Sequence, residues 1–146
     1  MLHDTFAKNK KRLTVKRLSG TRWSARADAV AAVKHGYKEI IAVLRNIGSD
    51  TETKALTRVE ANAIAFQLDN WETALHTVSW NILLERFNAT SKSLQSSSIS
   101  LNTTVDLYQS LCKFLQKFRK SGFEEIEKEA QKLTDFRHFD SELKRI

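Results

Sequence analysis

Proline is absent from all 146 residues, and glycine occurs only four times, at Gly20, Gly36, Gly48 and Gly122. Proline removes a backbone donor and clashes with the preceding helical turn, while an interior glycine costs a helix about 1 kcal/mol relative to alanine. A chain with so few breakers can sustain long helices. Its apolar residues recur at helical spacing: Ala25, Ala29, Ala32 and Val33 form an i, i+4, i+7, i+8 row. The Ile and Val residues do not alternate with polar ones, so strands have little support. The expected fold is all-α: an irregular antiparallel bundle or array of four to six helices, joined by short connections, behind an extended basic N-terminal lead.

The same periodicity divides the chain. The length suits one domain, with residues 1–20 as a basic irregular lead, 21–135 as the helical domain and 136–146 as a weakly patterned tail. In the lead, Leu13 and Val15 allow a short extended piece without a partner strand. The first helix is expected from Thr21 or Ser24 to a break at Gly36. Tyr37, Ile40, Ile41, Leu44 and Ile47 then resume the apolar stripe up to Gly48. Ser49 with Glu52 three residues later predicts a capping box, opening a helix lined by Leu56, Val59, Ala63 and Phe66. Asp69 or Asn70 is placed to recap the chain. Trp71, Leu75, Val78, Ile82, Leu83, Phe87 and Leu94 predict one helix of about 25 residues, roughly 35–40 Å long. Residues 95–100 read as a loop, with Ser100 or Asn102 as the next cap. Leu101, Val105, Tyr108, Leu111, Leu115 and Phe118 form the following row. Gly122 interrupts it, and Phe123, Ile126, Ala130 and Leu133 continue. Most of these rows are expected to be core.

Charge is unevenly placed. Residues 1–26 carry eight basic side chains against Asp4 alone, a surplus equal to the whole net charge of +7, and the other 16 basic residues are balanced by 16 acidic ones. At the border of this basic stretch stands Thr21-Arg22-Trp23-Ser24. Lys16, Arg17, Arg22 and Arg26 could neutralise phosphates, giving salt-dependent affinity that ignores sequence. The Trp23 indole offers a surface for an unpaired base, a contact worth about 1–3 kcal/mol. On the residues alone, Trp23 reads more readily as a staple that packs the lead onto the first helix than as a base contact.

Other chemistry is sparse. No HExxH, CxxC, P-loop or Gly-rich dinucleotide turn occurs. His3, His35, His76 and His138 lack metal-ligand spacing. His76 and Trp80 share a helix face and are expected to pack. The run Glu124-Glu125-Ile126-Glu127-Lys128-Glu129 reads as a solvated helix face rather than a metal site. No catalytic residue, metal, cofactor or small-molecule substrate is expected. No apolar run reaches the roughly 18–20 residues that cross a bilayer, and the N-terminus lacks the apolar core of a secretory signal. No membrane partner is expected. The single cysteine, Cys112, excludes an internal disulfide, fits a reducing intracellular compartment and is expected to be partly buried.

Several blocks, in order, resemble the hAT-family transposases, and more closely their transposon-derived zinc finger MYM-type relatives. Leu18-Ser19-Gly20-Thr21-Arg22-Trp23-Ser24-Ala25-Arg26 is similar to "LSxTRWxxR". Thr57-Arg58-Val59-Glu60-Ala61 resembles "TRxEA", and Leu68-Asp69-Asn70-Trp71-Glu72-Thr73 resembles the family's "LE/ET" helix start. Leu84-Glu85-Arg86-Phe87-Asn88-Ala89-Thr90-Ser91-Lys92-Ser93-Leu94-Gln95-Ser96 is similar to "LERFNKTSKxLQS", and Leu101-Asn102-Thr103-Thr104-Val105-Asp106-Leu107 to "LNTAVxLL". The resemblance spans roughly residues 13–135. It implies the helical insertion that separates the second catalytic Asp from the catalytic Glu in the family's RNase H-like core. It also implies that Trp23, with Arg22 beside it, stands close to flipped or hairpin DNA at the transposon end. The family's two Asp, its Glu and its Cys-x-x-His pair have no match here, nor do its zinc-binding and dimerisation segments. Gly20 replaces the usual Asp. The expected function is therefore that of a non-catalytic helical fragment of a hAT-like or transposon-derived protein, contacting DNA weakly and salt-dependently through Lys16, Arg17, Arg22, Trp23 and Arg26. The alternative is a helical module that binds a protein partner. The resemblance implies a nuclear location.

Overall fold

The computed structural model describes residues 23–134, and these form six helices with no strand among them. The expected all-α array is what the chain adopts. Helix α1 (Trp23–His35) carries Lys34 and His35 in its last turn, where positive charge opposes the negative end of the helix dipole. It meets α2 (Tyr37–Ser49) through Gly36 alone. The ladder barely pauses there: the Gly36 amide donates to Ala32 O at 3.0 Å and the Ile40 amide to Gly36 O at 2.8 Å.

The next junction departs from the predicted capping box. Helix α2 continues through Ser49, because the Asp50 amide still reaches Asn46 O at 3.1 Å. The Ser49 hydroxyl therefore turns back to Arg45 O and Asn46 O, at 3.0 and 3.1 Å. Asp50 organises the turn instead, accepting the Glu52 amide at 3.0 Å and the Thr53 hydroxyl at 2.8 Å. The Thr53 hydroxyl and then the Glu52 amide hold the Asp50 carboxyl below its usual range. Helix α3 (Ala55–Leu68) starts after Lys54 without a side-chain cap.

Two caps fall where the sequence offers them. Asn70 Oδ1 accepts the Glu72 amide at 2.8 Å and opens α4 (Trp71–Leu94), the predicted long helix. Ser100 Oγ accepts the Thr103 amide at 3.1 Å and opens α5 (Leu101–Ser121). Each satisfies a donor that the helix itself leaves unpaired. After Gly122, α6 (Phe123–Ala130) completes the array.

Helix α4 is the axis, touching α1, α3, α5 and α6, while α2 and α3 pack on each other as a hairpin. The core gathers Tyr37 and Ile41 of α2, Trp71, Ala74, Leu75 and Val78 of α4, and Ile126 and Ala130 of α6. Val33, Leu68, Ile82, Phe118 and Leu133 close around it. Seven of the fifteen buried apolar residues are alanines, so much of the packing is close approach of helix backbones rather than bulky interdigitation.

Several predicted core rows prove to be surface. Leu56, Val59 and Phe66 are 71%, 66% and 79% exposed. The reason is geometric. Helix α3 buries Ala61 and Ala65, which at 100° per residue lie roughly 160° around the helix from the Leu56–Phe66 stripe. Small residues allow the closer approach, so the alanine edge wins the contact with α2. On α5 only Leu111 is fully buried, while Leu101, Val105 and Tyr108 are exposed. Cys112 lies beside that second row and is exposed, not partly buried. Phe123 and Trp80 are exposed as well.

Candidate nucleic-acid interface

Trp23 is the first residue of α1, and its indole stacks on Phe87 of α4 with ring centroids 5.4 Å apart and planes 15° from parallel. This is the offset-stacked geometry that aromatic quadrupoles favour. One helical turn on, the Arg26 guanidinium carbon lies 6.0 Å from the indole centroid, within cation–π reach. Trp23 remains 47% exposed. The indole is therefore a staple between α1 and α4 that keeps about half its surface in solvent. Both roles open on sequence grounds, packing and display, are compatible with this geometry.

Of the five residues expected to contact DNA, Trp23 and Arg26 are brought together. Lys16, Arg17 and Arg22 lie outside the described residues, as does the Leu13–Val15 piece. Phe87 is the partner that sequence reasoning missed. It stands in the predicted apolar row of α4, but nothing in the spacing ties position 87 to position 23. Its neighbour Arg86 fastens the adjoining helix: its guanidinium donates to the Ser110 hydroxyl at 2.6 Å and lies 5.6 Å from the Phe114 ring centroid on α5. The shelf beneath Trp23 is thus tied to three helices, α1, α4 and α5.

A second polar cluster surrounds Asp69, at the α3–α4 junction. Asp69 pairs with Arg45 of α2 and accepts the Thr134 hydroxyl at 3.1 Å. Two shallow depressions of about 190 and 180 Å³ flank it. One is lined by Lys38, Ile41, Ala42, Arg45 and Leu133, the other by Arg45, Asn62, Ala65 and Phe66. On α6, Glu129 is held by Lys132 and faces Lys34 at 3.9 Å. The Lys132 hydrogen bond is the main cause that lowers its carboxyl below the usual range. Glu129 therefore serves ion pairing on a helix face. Among the described residues no group of three or more His, Cys, Asp or Glu side chains is placed to hold a metal ion, and no helix is long and apolar enough to cross a membrane.

No protein-family model, curated protein or solved structure matches this chain, so its resemblance to the hAT family stands on the sequence blocks alone.

Proposed function

We propose that this chain is a non-catalytic helical module, of the kind inserted in hAT-like transposases, that contacts DNA through Trp23 and the basic residues around it. The observation that supports this is the half-exposed Trp23 indole, fixed on Phe87 with Arg26 beside it. A ring already held by stacking on Phe87 loses little freedom when a base stacks on it, so more of the contact energy is retained. Stacking needs an unpaired or extruded base, which favours hairpin tips and single strands over continuous duplex. Arg26 and Arg22, with Lys16 and Arg17, supply the phosphate contacts. Such a module works in the nucleus and needs no cofactor.

The discriminating experiment is affinity for a hairpin oligonucleotide and its fully paired duplex, measured across a salt series. The hairpin should bind more tightly, affinity should fall as salt rises, and Trp23→Ala should weaken hairpin binding. Equal affinity for both DNAs, or a Trp23→Ala protein that binds as well as the parent, would refute the proposal.

A second function, docking of a protein partner, draws on a different observation: the exposed apolar rows of α3 and α5. Association through them would persist at high salt, since apolar burial does not depend on charge screening.

A further inference from the structure

Trp80 is the one large apolar side chain of α4 that the fold leaves exposed. It is 53% exposed, whereas Trp71 of the same helix is 8% exposed. The core row of α4, with Trp71, Ala74, Leu75 and Val78, lies on the far side of the helix from it. An indole held there forgoes the stabilisation that burial of its apolar surface would give. His76, one turn earlier on the same side, does not cover it and is exposed as well.

Trp80 shares its side of α4 with Phe87, the shelf on which Trp23 stacks. Seven residues make nearly two full turns, so the two positions stand about 10 Å apart along one line of the helix. Helix α4 is unbroken from Trp71 to Leu94, which fixes that distance. An exposed indole therefore stands at each end of it, Trp23 at one and Trp80 at the other. The other positions of this row, Thr73, His76, Leu83 and Ser91, carry no carboxylate. Glu85 points away from the row, bound by the Asn81 amide at 3.1 Å. A phosphate chain running along the row meets no like charge on it, and Arg26 stands at its Trp23 end. Stacked nucleotides advance about 3.4 Å each along a strand, so about three steps cover the separation.

We propose that Trp80 is a second base-stacking surface, and that one unpaired strand crosses α4 with a base on Trp23 and another, about three nucleotides away, on Trp80. The proposal rests on the reading of Trp23 as a DNA contact and gives that site its substrate class. The two rings together select strands or open loops with about four or more unpaired nucleotides, since a tighter loop can reach only one of them.

The test uses the full chain and a single-stranded decamer that is abasic at all but two positions. The phosphates then stay constant while the separation of the two bases varies. The parent should bind most tightly when the bases are about three steps apart. Trp80→Ala should bind that decamer roughly 5–150-fold more weakly. It should also lose the dependence on separation while keeping the salt slope of the parent, because the indole carries no charge. Trp80→Phe should recover part of the affinity. If Trp23→Ala weakens binding but Trp80→Ala does not, or if the parent is indifferent to the separation, the second surface is overturned and the Trp23 contact stands. If the parent does not bind single strands, or neither variant weakens binding, both readings fall.

Discussion

Replacing Tyr37 by Phe removes one hydroxyl and little else. The ring is 1% exposed at the start of α2 and belongs to the central cluster. Its hydroxyl donates to Leu68 O at 2.5 Å. Leu68 is the last residue of α3, so its carbonyl is one of the four that a helix C-terminus leaves without an internal partner. In Tyr37→Phe the ring keeps its packing while that carbonyl loses a donor in a partly buried place. Leaving a buried acceptor unmade costs about 1–2 kcal/mol, which for a domain of this size lowers the thermal midpoint by roughly 3–8 °C. Urea unfolding followed by far-ultraviolet circular dichroism would measure it, with the slope unchanged if only stability moves. Alkaline pH adds a second reading. Burial raises the Tyr37 hydroxyl above its ordinary value of 10.0, with the Thr77 hydroxyl opposing and the Asp69 charge adding to the rise. The folded chain thus keeps this proton to higher pH than the unfolded chain does. The contribution is complete below pH 10.0 and is lost as pH climbs through the higher folded value. The stability gap between the parent and Tyr37→Phe should therefore narrow above that pH. A variant as stable as the parent at neutral pH, or a gap that widens in alkali, would refute the role given to the Tyr37–Leu68 bond.

Other substitutions test neighbouring links. Asn70→Ala removes the acceptor of the Glu72 amide and should cost about 1 kcal/mol in chemical unfolding. Ile126→Ala cuts away the side chain that seats α6 in the core and should cost about 2–5 kcal/mol, read in the same assay. A methyl group on Gly48 would lie 1.9 Å from Asn62 Oδ1 and 2.4 Å from its Cγ, so Asn62 must swing away and release its 3.3 Å bond to Gly48 O. Those Asn62 atoms are the end of an exposed side chain that is free to turn into solvent, so Gly48→Ala should leave stability unchanged or raise it by up to about 1 kcal/mol through helix propensity. A Gly48→Ala protein clearly less stable than the parent in urea unfolding would contradict that reading.

The helices were largely legible in the sequence because their limits depend on local chemistry. Gly36, Asn70, Ser100 and Gly122 act within one turn of themselves, and periodicity marked the long α4. The capping box at Ser49 failed because the α2 ladder ran one residue further, which local residue types do not decide. The larger error was which face each helix buries. On α3 a bulky stripe and an alanine edge compete, and the choice belongs to α2, whose close approach only the alanines allow. Periodicity detects an apolar face but not whether a neighbour covers it. The site was half legible for a similar reason. Trp23 and Arg26 are close in sequence, but Phe87 is brought beneath them only by the antiparallel pairing of α1 with α4.

The most direct measurement is hairpin-oligonucleotide affinity for the parent and Trp23→Ala at several salt concentrations. The expected result is a straight fall of log affinity with log salt, with a slope of about −0.7 to −0.9 per phosphate neutralised. At every salt concentration the Trp23→Ala protein should bind roughly 5–150-fold more weakly, the equivalent of a stacking contact of about 1–3 kcal/mol. The two slopes should match, because the indole carries no charge. A flat salt response, or two proteins of equal affinity, would contradict the central claim that Trp23 and its basic surroundings form a DNA contact.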